Sequence, residues 1–133
     1  DRDLIIVKFV AILYKLGEYN MDKISIDDFI KILDEDVVKN NSSIEMNFYV
    51  EGDKDYRDCW LGKMPNKSSL TEDVYWYGLV DNGSQAYDYD NQKDFLEAKV
   101  FNGKSIYEIF EKIHWHSLDG CSLEERLGYY LND

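Results

Sequence analysis

Few residues in this chain are spaced as chemistry would require. Asp88, Asp90, Gln92 and Asp94 recur at every second position, as the opening ligands of a calcium loop do. Such a loop needs Gly at its sixth position and Glu at its twelfth. Lys93 and Lys99 stand there, so no dedicated calcium site is expected. Gly103-Lys104-Ser105 carries the last letters of a phosphate loop, but Ala98 occupies the position of the first Gly, and the preceding segment reads as helix rather than strand. The expected role is a Gly turn feeding a capped helix. His114 and His116 fall on one face of a short strand, with Trp115 on the other. With Cys121 they offer three zinc-type ligands, but no fourth stands at a suitable spacing. Cys59 or Cys121 with a His could be drawn as a nucleophile and base, yet no nucleophile-elbow sequence surrounds either. A buried Cys acts mostly as a small hydrophobe. No metal, no cofactor and no catalytic residue is therefore expected.

Carboxylates and aromatic rings are plentiful, and together they are what glycoside chemistry uses. This makes the alternative function a small carbohydrate-binding domain or hydrolase, working through Trp60, Tyr75, Trp76 and Tyr77 on a sheet face with paired carboxylates. Packing within the sheet is the commoner duty of such side chains.

The elements that position these residues follow from periodicity. Leu4, Ile5, Val7, Phe9, Ile12, Leu13 and Leu16 predict a buried helix over 3–16, rather than a signal sequence. Ser25 followed by Asp28 caps a second helix over 26–35. The period then drops to two. Ile44, Met46, Phe48 and Val50 alternate with polar residues and Tyr49, which predicts a strand over 44–51. Further strands are expected at 56–63, 73–81 and 84–89, the last two joined by Asn82-Gly83, a type I′ hairpin pair. A short helix follows from Asn91 to Lys99, and a second is capped by Ser105 with Glu108 and striped by Ile106, Ile109, Phe110 and Ile113. A short extra strand at 114–118 and a final helix capped by Ser122 and Glu125 complete the chain. Helices, then strands, then helices predict an α+β fold: an antiparallel meander of about four strands, flanked by N-terminal and C-terminal helices in one domain over 1–133.

Charge bears most directly on function. The 133 residues hold 27 acids and 15 Lys or Arg, a net charge of −12. A nucleic-acid partner is not expected, since phosphates need a basic face. The predicted second helix carries Asp27, Asp28, Asp34 and Glu35 against Lys31, which excludes it as a DNA-recognition helix. No 18-residue apolar run predicts a membrane partner. Two Cys and no disulfide framework favour a reducing cytoplasmic setting. The acids are clustered. Residues 71–98 hold seven against one Lys, half of the net charge, and residues 17–36 hold seven against two. The first cluster coincides with the Tyr-rich hairpin. Asp73, Tyr75, Tyr77, Asp81, Tyr87, Asp88, Tyr89, Asp90 and Asp94 are the expected partner-binding residues. Tyr supplies contact area at low entropy cost, and dense carboxylates steer a cationic partner. The expected function is a non-enzymatic acidic binding protein that neutralises a basic protein, most naturally one that handles nucleic acid. In charge and size the chain resembles small bacterial immunity proteins that block cationic nuclease toxins, and phage-encoded inhibitors that imitate DNA. That resemblance rests on no motif.

Overall fold

The computed structural model describes residues 22–68, 72–80 and 84–131. The predicted helix over 3–16, the Asn82-Gly83 turn and the candidate docking residue Asp81 lie outside the described residues. The elements are α1 (Ile26–Leu33), β1 (Ile44–Val50), β2 (Cys59–Pro65), β3 (Asp73–Leu79), β4 (Gln85–Tyr89), α2 (Gln92–Glu97), α3 (Ile106–Ile109), β5 (Ile113–Leu118) and α4 (Leu123–Leu131). A 3-10 turn, Phe110–Lys112, leads into β5.

The strands form one antiparallel sheet in the order β4-β3-β2-β1-β5. The architecture is α+β, as the sequence predicts, with the short extra strand making a fifth member beside β1. Alternation divides the side chains between two faces. Met46, Leu61 and Tyr77 stand opposite one another across β1, β2 and β3 and are buried. Asn47, Trp60 and Gly78 take the other face, as do Trp76 and Asp88. The buried side chains form one hydrophobic cluster. From α1, Phe29 packs on Trp115 with ring centroids 5.3 Å apart. From α2, Phe95 stacks on Tyr77 at 4.1 Å and 13°.

Several boundaries move, each for a local reason. The second strand starts at Cys59, not 56, because Tyr56 closes a loop. Its carbonyl accepts from Val50 N–H at 2.8 Å, and its hydroxyl lies 3.1 Å from Asn102 Oδ1. The third strand ends at Leu79 because Val80 takes φ 57°, outside the β region. The helix expected over 26–35 ends at Leu33, two residues early, with Asp34 as its C-cap. The predicted stripe from Ile106 to Ile113 is split: α3 ends at Ile109, and Ile113 opens β5 as a buried strand residue.

Turn chemistry acts at a second Asn-Gly pair. Asn102 and Gly103 have φ of 52° and 83°, and Phe101 and Lys104 exchange backbone bonds of 3.0 and 3.1 Å across them. Positive φ at both central residues is what a type I′ turn demands. Asp119-Gly120 repeats the device between Leu118 and Cys121. Gly62 is fixed differently: a Cβ there would lie 2.0 Å from the Ile44 carbonyl oxygen and 2.7 Å from the Trp76 ring.

Candidate functional site

The acidic surface is assembled by caps and by one buried cation. Ser25 Oγ accepts the Asp28 N–H at 3.1 Å to start α1, with Asp27 and Asp28 favourably placed at the positive end of the helix. The far end of α1 needs donors for its last carbonyls. Lys63 supplies them from the core-facing side of β2. Its ammonium donates to Leu33 O at 2.8 Å and to Glu35 O at 2.7 Å, and it pairs with Asp73 Oδ2 at 3.2 Å. The Tyr75 ring lies beneath it at 4.9 Å. Lys63 is only 3 % exposed, so each of these partners offsets the cost of burying the charge.

The beginning of α2 meets that end. Asn91 Oδ1 accepts the Asp94 N–H at 2.8 Å, and Gln92 Nε2 donates to Asp34 Oδ1 at 3.0 Å. The two acidic runs of the sequence, 58 residues apart at this contact, are thereby joined. Asp34, Asp88, Asp90 and Asp94 are all exposed around the junction and the adjoining edge of the sheet. The nearby Lys93 is spent locally, 4.0 Å from Glu97.

The nine expected docking residues do not stay together. Tyr75 and Tyr77 leave the set: they are 8 % and 1 % exposed, because their positions in β3 face the core. The Tyr77 hydroxyl donates to Phe95 O at 2.8 Å, and burial holds its pKa far above the usual value for Tyr. Asp73 leaves it too, since its carboxylate is committed to Lys63. Asp88, Asp90 and Asp94 remain exposed, and Tyr87 is 37 % exposed. Tyr89 is half-buried against Tyr77 and Phe95, and burial raises its hydroxyl pKa, with Tyr87 adding to the effect. It therefore presents a neutral hydroxyl. Tyr87 also borders an open groove of about 570 Å³ with Asp55, Tyr56, Gln85, Lys99 and Asn102.

Other chemistry read from the sequence is placed apart. Asp88 lies in β4 and Asp94 in α2, where it serves the cap. Ser105 N–H donates to Glu108 Oε2 at 2.7 Å, so Gly103-Lys104-Ser105 belongs to a turn and a helix start. His114 and His116 share a face and flank Tyr49, with ring centroids at 4.8 and 5.0 Å. His114 sits between Asp22 and Glu51, at 2.9 and 3.4 Å. Among the described residues, no group of three His, Cys, Asp or Glu side chains could hold a metal ion. Cys59 is buried, and desolvation pushes its thiol up to about 11, which leaves it protonated near neutral pH. The aromatic sheet face of the alternative reading is divided, with Tyr75 and Tyr77 inside and Trp60 and Trp76 half-buried on the opposite face. An open groove of about 590 Å³ runs beside Trp76, bordered by Glu45, Met64, Val74, Ala86 and Asp88.

Sequence reasoning missed Lys63 as an organiser of the surface. It also missed the tie made by Asp119, which holds Arg126 Nε at 2.9 Å, accepts the Tyr130 hydroxyl, and accepts the Glu45 N–H at 3.0 Å. Alternation carried a signal for the first, because Lys63 follows Cys59 and Leu61 on the buried side of β2. No family model, curated protein or solved structure matches the chain. Among the described residues, no helix is long and apolar enough to cross a membrane.

Proposed function

We propose that the protein is a non-enzymatic binding protein that neutralises a basic protein partner through the surface carrying Asp34, Tyr87, Asp88, Asp90 and Asp94. The observation that carries this reading is the Gln92–Asp34 contact, which joins two acidic runs that the sequence keeps apart. A joined field of one sign attracts a cationic partner over longer range than scattered charges do, and speeds the encounter. Tyr87 at the margin adds apolar contact area with few rotors to immobilise. Inhibition follows from occlusion, with carboxylates occupying places on the partner that phosphates otherwise fill. A partner that handles nucleic acid has the matching basic surface.

The test uses a partner recovered from the source organism on the tagged full chain. The expected partner is basic, leaves the column at raised salt, and is lost when Asp88, Asp90 and Asp94 are replaced by Lys in a chain whose circular dichroism is unchanged. Retention of the partner by that triple variant overturns the reading.

A further inference from the structure

We infer that β4 is an open docking edge, and that its occupant is an extended, Lys- or Arg-bearing segment of the partner that adds to the sheet as a sixth strand. This deepens the reading given under Proposed function and rests on it. The first observation is topological. β4 ends the sheet, and among the described residues its backbone pairs only with β3. Four of its five residues are exposed. A strand edge of this kind is a ready template for another chain.

The two edges of the sheet differ. Along β5 the Trp115 N–H donates to Asp22 O at 2.7 Å, so preceding chain caps that side. Nothing described does so for β4. Two of the usual structural guards, a bulge and a Pro, are also missing there. The β3–β4 register runs without a bulge from Tyr75↔Tyr89 to Leu79↔Gln85, and the strand Gln85–Tyr89 contains no Pro.

Charge then selects the occupant. Asp88 lies within the strand and Asp90 directly after it, and both are exposed. A second copy of β4 brought alongside would set these carboxylates against their own kind, which is unfavourable for cross-strand neighbours. A basic segment reverses the sign of that contact. The faces set its pattern: Asp88 shares a face with Ala86, while Gln85, Tyr87 and Tyr89 take the other. The fitting segment therefore alternates, with Lys or Arg beside Asp88 and apolar or aromatic residues beside Tyr87 and Tyr89. Main-chain bonds supply affinity that charge alone does not.

The experiment probes the full chain with a pool of short peptides bearing Lys at alternate positions and Val, Ile, Thr or Tyr between. Each is paired with a version N-methylated at alternate backbone nitrogens. Amide exchange at residues 85–89 is expected to slow by about tenfold or more with the parent peptides. The N-methylated partners, equal in charge, are expected to bind at least about tenfold more weakly. Ala86→Pro and Tyr87→Pro give a second arm. Adjacent strand residues direct their N–H groups to opposite sides, so one of the two keeps the β3 ladder and removes an outward donor. That folded variant should lose the peptides, and if neither variant folds the N-methyl comparison decides. Equal binding of both peptide forms overturns strand addition while leaving the acidic-surface reading intact. Protection at Trp60 and Trp76 instead of β4, or a free protein that light scattering finds dimeric with β4 already protected, overturns it as well. If no peptide binds, strand addition falls, and the captured-partner test still judges the broader reading on its own.

Discussion

Replacing Lys63 by Met removes the ammonium and keeps most of the apolar stem. Three interactions go with it: the bonds to Leu33 O and Glu35 O at 2.8 and 2.7 Å, and the ion pair with Asp73 at 3.2 Å. Breaking a buried pair from one side costs about 3–5 kcal/mol, largely because the other charge is left unpaired. Asp73 is 24 % exposed in its side chain, so water recovers part of that loss and favours the lower end. The carbonyl of Leu33 is buried and stays unsatisfied, at about 1–3 kcal/mol. With Met filling the space and the burial cost of the ammonium itself removed, the expected net loss is about 3 kcal/mol. At a urea slope of about 1.5 kcal/mol/M this lowers the unfolding midpoint by about 2 M, followed by Trp fluorescence. The double variant Lys63→Met, Asp73→Asn should recover about 1 kcal/mol, because the orphaned charge is gone. A loss under about 1 kcal/mol for Lys63→Met, or no coupling to Asp73, would refute the view that Lys63 holds the end of α1 in place.

Gly62→Ala is expected to lose at least about 3 kcal/mol in the same urea assay, since the new methyl meets a backbone oxygen that cannot move aside. Cys59, with its thiol pushed up to about 11, should resist a thiol reagent at pH 8 until the chain unfolds, whereas the less buried Cys121 reacts in the native protein. The Glu108 carboxyl is held below its usual 4.5, first by the Ser105 N–H. A lowered folded-state pKa adds stability above the unfolded value and loses it as the pH falls through the folded value. The stability gap between the wild type and Glu108→Gln should therefore be full above pH 4.5 and close below it, as measured by thermal melts across the acid range. Tyr77→Phe leaves Phe95 O without its donor and should cost about 1 kcal/mol.

The sheet was legible because period-two alternation in Ile44–Val50 and the polar breaks between strands are local signals. The caps were legible for the same reason: Ser25, Asn91 and Ser105 all stand where helices begin. The site was read less well. Clustered charge located the exposed acids, but β3 is aromatic at successive positions, so its sequence does not say which aromatics face inward. The register does: Tyr75 and Tyr77 lie opposite Lys63 and Leu61 on the core side. Contacts at long range were out of reach. Nothing local to Gln92 announces a bond to Asp34, and nothing local to Lys63 announces the end of α1. Nothing local to Asp119 announces that its carboxylate gathers Arg126 and Tyr130. These are ties between elements, and those made by Gln92 and Lys63 arrange the surface on which the proposed function rests.

The most direct measurement compares two triple variants of equal charge change against the alternating basic peptides: Asp88, Asp90 and Asp94 to Lys, and the exposed acids Glu51, Glu111 and Glu124 to Lys. In low salt the first should lose at least about tenfold in association rate and the second much less, with the difference shrinking as salt screens the field. Equal losses for the two sets would mean that net charge alone governs the encounter, and would contradict a localised docking surface.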